Sequence, residues 1–191
     1  MSFLTLRHVV EAVVIIVLGR HFQGAVRTFS LATGERPALA LQLFPLANMI
    51  VIYMSFTAAL NPRLAIPGLL GFASSLALFE WARKTVQGRF FSYAYSNDTP
   101  QFLLTEGPFA YIRNPFYASY LLAYAGAAIL FPGTATLLIF GVMALFFGKT
   151  ALHEERKFQR SALSSDYEAY RHRTGRFIPK LRRVLPTSSL R

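Results

Sequence analysis

Long charge-free apolar blocks alternate along this chain with polar segments dense in arginine and lysine. Pro37 to Leu60 runs 24 residues without a charge, and Leu64 to Phe79 another 16. Phe116 to Phe131 and Thr134 to Gly148 are also uncharged and are separated only by Pro132-Gly133. At the helical rise the first block spans about 36 Å, enough to cross a hydrocarbon core of about 30 Å. The last two reach only about 22–24 Å each. They therefore read as a helical hairpin turned at Pro-Gly, with ends that extend into flanking sequence. Asn61-Pro62 supplies a similar turn between the first two blocks. The N-terminal block, Ala12 to Gly19, is eight residues bounded by Glu11 and Arg20. It fits either a span with polar ends or an interfacial helix. The pattern predicts an all-α fold, an integral membrane bundle of four or five transmembrane helices. Residues 1–191 form one membrane-embedded domain, with an N-terminal membrane part over 1–100 and a second part over 101–182.

Beyond the last block, Leu152, Phe158, Leu163, Tyr167 and Tyr170 recur at intervals that predict a cytoplasmic C-terminal amphipathic helix near the interface. Glu154 and Glu155 are out of place on an anionic lipid surface. At the C-terminal end of a spanning helix they oppose its dipole, whereas in the first turn of a new helix they are favoured. In the loop before the hairpin, Asn97-Asp98-Thr99-Pro100 is turn chemistry. Asn114 suits the N-cap and Pro115 the first turn of the next helix. Arg113 then has two readings, a side chain snorkelling to lipid phosphate or a ligand contact.

Composition narrows the classes. With no cysteine there is no disulfide framework, thiolate metal site or cysteine nucleophile. The four histidines, at 8, 21, 153 and 172, lack paired ligand spacing, so no metal is expected. Twenty Lys and Arg against nine Asp and Glu give a net charge of +11. With four spans and the N-terminal block on the surface, 19 of the 20 basic residues fall on one side and only Arg63 on the other. If Ala12 to Gly19 spans, Arg7 changes sides. The positive-inside rule places the basic loops and C-terminus in the cytoplasm of a multi-pass protein. The charge then reads as topology and contact with anionic lipids of the bilayer, not nucleic-acid binding. No sequence feature sets an oligomeric state.

The residues Gly107-Pro108-Phe109-Ala110-Tyr111-Ile112-Arg113-Asn114-Pro115-Phe116-Tyr117 resemble the Gly-Pro-Tyr-x-Tyr-x-Arg-(His/Asn)-Pro-x-Tyr signature of isoprenylcysteine carboxyl methyltransferases and their phospholipid-methyltransferase-like relatives. Glu154-Glu155, Tyr167, Tyr170 and Pro179 are similar to the acidic pair, tyrosines and proline of the same family's downstream element. The two motifs flank the hairpin, and the likeness covers roughly residues 103–180. It implies a membrane-integral methyltransferase that uses S-adenosylmethionine on the cytoplasmic side and a lipophilic methyl acceptor arriving from the bilayer. No G-x-G fingerprint points to a soluble nucleotide-binding fold. By the resemblance, Arg113, Asn114 and Glu154 are catalytic. Gly107, Tyr111, Arg113, Asn114, Pro115, Tyr117, Glu154, Glu155, Tyr167, Tyr170 and Arg171 contact the cofactor. Phe109 stands where the family has Tyr, and Ala162-Leu163-Ser164-Ser165 replaces a Phe-Gly element. Asn114, unlike His, cannot carry a proton.

The implied acceptor is open between carboxyl O-methylation and phospholipid N-methylation. A carboxylate needs no general base, whereas an amine must first lose a proton. A reading of another class is a small non-enzymatic membrane protein with a basic lipid-binding tail.

Overall fold

The computed structural model describes residues 2–30, 39–86, 91–92 and 99–180, with side chains described over 2–25, 43–86 and 99–180. Among the described residues there are six α-helices: α1 (Phe3–Thr28), α2 (Leu39–Thr57), α3 (Ala65–Val86), α4 (Pro115–Leu130), α5 (Thr134–Gln159) and α6 (Ser164–Arg173). Two 3-10 turns, Pro62–Leu64 and Gly107–Ala110, precede α3 and α4. Among the described residues the architecture is all-helical apart from two-residue strands, β1 (Phe29–Ser30) and β2 (Phe91–Ser92), which pair in parallel. The turn expected at Asn97-Asp98 lies outside the described residues.

Each apolar block became a helix bounded by its turn residues. Asn61 accepts from the Arg63 amide and starts the 3-10 turn before α3. Gly133 sits at the N-cap of α5, immediately after Pro132. The helices over Pro62–Val86 and Thr134–Gln159 are long and apolar enough to cross a membrane. Leu43–Thr57 and Pro115–Leu130 are shorter apolar helices. Large apolar side chains point outward from the bundle, among them Leu46, Met49, Ile66, Leu70, Leu138 and Leu145, each more than half exposed. Such a surface is expensive in water and suits lipid.

α4 is the central helix, and α3 lies closest against it. Gly68 and Gly71 of α3 face Gly126 of α4, and a Cβ on Gly126 would stand 2.9 Å from the Gly68 carbonyl oxygen. Small residues let the two backbones approach. Buried polar groups key the other helices to this pair. Ser75 Oγ donates to the Ser119 carbonyl at 2.6 Å and receives a hydrogen bond from His21 Nε2 of α1 at 3.2 Å. Tyr124 Oη of α4 donates to Asn48 Oδ1 of α2 at 2.7 Å.

One expectation changes, and two readings left open are decided. Ala12 to Gly19 is the middle of the 26-residue α1, and Val10, Val14, Val17 and Leu18 are buried in the bundle. Arg7 consequently sits at the end of the bundle where α2 finishes, donating to the carbonyls of Ser55 and Phe56 and pairing with Glu11 at 3.0 Å. Two helices also replace the single amphipathic C-terminal one. Leu152 and Phe158 belong to α5, a turn at Arg160–Leu163 reverses the chain, and Tyr167 and Tyr170 belong to α6 with their rings buried. Glu154 and Glu155 therefore lie near the C-terminal end of α5, not in the first turn of a new helix.

Candidate active site

The motif segment begins at Gly107, whose φ of +57° is open to glycine. A Cβ there would lie 2.2 Å from Thr85 Oγ1 at the end of α3. Pro108 and Phe109 are buried, and Tyr170 Oη of α6 donates to the Phe109 carbonyl at 2.7 Å. Residues 111–114 then run alongside 174–176. Gly175 N donates to Tyr111 O at 3.1 Å, Arg113 N to Gly175 O at 2.8 Å, and Asn114 N to Arg176 O at 3.1 Å. The turn at Gly175 has no room for a side chain, since a Cβ would meet the Ile178 carbonyl oxygen at 1.6 Å.

This pairing turns Arg113 inward. Its side chain is 8% exposed, and Nε donates to Glu155 Oε1 at 3.1 Å. Its Nη1 donates to the carbonyls of Thr174 and Arg171. Arg113 is therefore not a lipid-facing snorkel. Glu155 is equally buried and receives a second guanidinium, Arg176 Nε at 2.9 Å and Nη2 at 3.0 Å. Asn114 Nδ2 reaches the same Oε1 and the Arg176 carbonyl, each at 3.5 Å. Two cations and an amide on one carboxylate offset the cost of burying it and its conflict with the α5 dipole. Asn114 stands at the N-cap of α4 without capping it, because its side chain is directed to Glu155. Pro115 occupies the first turn as expected.

Next to this cluster, Tyr117 Oη donates to Glu154 Oε1 at 2.8 Å, and the Tyr117 ring stacks on Phe147 at 5.2 Å. Tyr167 stacks on Phe158 at 5.0 Å. The Tyr167 hydroxyl is buried with no hydrogen-bond partner among the described residues. Burial pushes the hydroxyls of Tyr167 and Tyr170 above the ordinary phenol range, so both remain protonated donors.

The structure thus brings Arg113, Asn114, Tyr117, Glu154, Glu155, Tyr167 and Tyr170 to one end of the bundle. Gly107 and Pro115 shape the backbone there. Two expected residues point elsewhere. Tyr111 is half exposed and packs on Trp81 of α3, with ring centroids 6.1 Å apart. The Arg171 guanidinium pairs on the surface with Glu168 at 2.7 Å and holds that carboxyl below its usual range. Only the Arg171 carbonyl touches the cluster, through Arg113. Arg176 and Thr174 were not among the expected residues. The signal for Arg176 was the pair Gly175-Arg176 just before Pro179, where a tight turn brings a cation back to the motif.

A family model described as phospholipid methyltransferase matches residues 65–163, just over half of the 191 residues. The chain belongs to the phospholipid methyltransferase family. A search of curated proteins finds no match to this chain. The family match and the two membrane-length helices make the protein a membrane methyltransferase. The family match covers α3 to α5, and so includes the motif and Glu154-Glu155. It ends before α6, and so does not include Tyr167, Tyr170 or Arg176.

Proposed function

We propose that this chain transfers the methyl group of S-adenosylmethionine to a lipophilic acceptor at the membrane surface. The supporting observation is the convergence on Glu155 of Arg113, Asn114 and Arg176, from two segments on either side of the α4–α5 hairpin. The carboxylate pair and the aromatic rings suit a zwitterionic donor with a cationic centre. The buried, unpartnered Tyr167 hydroxyl is a polar atom that a ligand would satisfy.

When bound, S-adenosylmethionine supplies an electrophilic sulfonium methyl. Glu154, oriented by Tyr117, and the Tyr167 hydroxyl are the groups that would hold it. Arg113 is committed to Glu155 and two carbonyls, so its part is positioning: it ties the motif segment to α5 and the turn at Gly175. Asn114 carries no proton and acts as a second tie to Glu155. Positioning and water exclusion supply the rate, because transfer needs an in-line nucleophile about 3–3.5 Å away.

In the membrane, α1 to α5 form five spans in this reading. Among the described basic residues, Arg7 and Arg63 then lie on the outer side. The site, α6 and the basic segments face the cytoplasm.

Calorimetry on the purified full chain with S-adenosylmethionine or its demethylated product tests the reading. Binding is expected, and Tyr167→Phe should weaken it about fivefold without lowering stability, since no internal hydrogen bond is lost. Arg63→Ala, at the opposite end of the bundle, should bind as the wild type. Absence of binding in several detergents and in lipid vesicles would overturn the assignment. Incubation with labelled S-adenosylmethionine and a total lipid extract then identifies the acceptor by its labelled product.

A further inference from the structure

Trp81, the only tryptophan of the chain, lies five residues from the C-terminal end of α3 and is 48% exposed. Tyr111, also 48% exposed, packs its ring on it from the motif segment. Lys84 follows Trp81 by three residues on the same helix face and is exposed. An exposed indole and phenol ring beside an ammonium is poor surface for bulk water and poor surface for acyl chains. It matches the layer between them, where amphipathic rings lie at headgroup level and a lysine reaches lipid phosphate.

We propose that Trp81, Tyr111 and Lys84 form a phospholipid headgroup contact that fixes the depth of the active site in the bilayer. The geometry relates that contact to the site. The Phe79 and Phe116 rings meet at 5.7 Å, so α3 and α4 are level there. Trp81 is two residues towards the site end of α3, and Tyr117 is one residue deeper on α4. At the helical rise, Tyr117 and its partner Glu154 lie about 5 Å below the level of Trp81. Tyr111 also bonds to Gly175 through its backbone, so the contact grips the segment that carries Arg113. The acceptor's reacting group accordingly meets the site at the lower edge of the headgroup layer, not in the middle of the bilayer. This last step rests on the methyl-transfer reading, whereas the lipid contact does not.

Because Trp81 is the sole indole, its emission reports this position alone. The full chain is reconstituted into vesicles of phosphatidylcholine and phosphatidylglycerol carrying a nitroxide on the headgroup, high on the acyl chain, or near the chain end. Quenching of Trp81 should be strongest from the headgroup or upper chain and should fall with depth. Strongest quenching from the chain end, or equal weak quenching from all three, would overturn the proposal. Headgroup-labelled phosphatidylglycerol should quench at least about twofold more than headgroup-labelled phosphatidylcholine, with the difference abolished in Lys84→Gln. Equal quenching by the two lipids in the wild type would remove Lys84 from the contact. These readouts require neither donor binding nor turnover, so their failure is distinct from failure of the methyltransferase assignment.

Discussion

Glu155 accepts from three side chains while almost fully buried, so it is the residue whose loss leaves the most unsatisfied. Glu155→Ala strands the Arg113 guanidinium in the interior and should cost about 3–5 kcal/mol in detergent unfolding. Arg176→Ala should cost less, because Arg113 still neutralises Glu155 and the Arg176 side chain is already 37% exposed. Glu168→Ala should leave stability unchanged, since its partners are at the surface. At this scale the sequence showed which residues carry chemistry better than it showed what each does. Arg113 and Glu155 carried a family pattern, and the structure places them on each other, 42 positions apart. Asn114 looked like a helix cap because its position and the following proline are local facts. Its actual partner, Glu155, is a tertiary one. Tyr111 and Arg171 shared the motifs but face outward, a difference that spacing alone does not encode.

Helices α3 and α4 are held by close backbone approach, and this can be weighed at single glycines. Gly126→Ala pushes a methyl group against the Gly68 carbonyl and the Phe72 ring, and should cost about 1–3 kcal/mol. Gly141→Ala on α5, where nothing lies within 4 Å, should be neutral or stabilise by about 0.5 kcal/mol. Thermal or denaturant unfolding of the two variants side by side checks both. The apolar blocks and their turn residues made α2 to α5 legible. The ends were less so. α5 continues eleven residues past the end of the uncharged block because Lys149 to Gln159 contains no helix breaker, whereas a hydropathy boundary falls at Gly148. α1 was ambiguous because only eight of its 26 residues form an uninterrupted apolar run. Its burial depends on neighbours such as Phe79 and Ser75 that lie far away in sequence.

Across the whole molecule, charge sorts by end. Arg7 and Arg63 stand at one end, while Glu80 with Arg20 and Arg83, the Glu155 cluster and α6 stand at the other. The chain contains no cysteine, so single introduced cysteines can report sidedness without background. With an impermeant maleimide on intact cells, Arg63→Cys should label directly and His172→Cys only after permeabilisation. The reverse pattern would invert the topology. The asymmetry of charge was legible from sequence once the blocks were counted. The side taken by Arg7 was not, because it depended on whether α1 runs through the bundle.

The backbone pairing of Arg113 and Asn114 with Gly175 and Arg176 has a consequence for biogenesis. The hairpin that supports the site is complete by residue 159, but its second half of donors and acceptors is translated later. A nascent chain released before Arg171 would have every long helix and would carry Arg113 with neither of its late carbonyl acceptors nor the second guanidinium on Glu155. The long helices and the closed ion-pair cluster thus draw on separate stretches of the chain, and residues 171–176 complete the second.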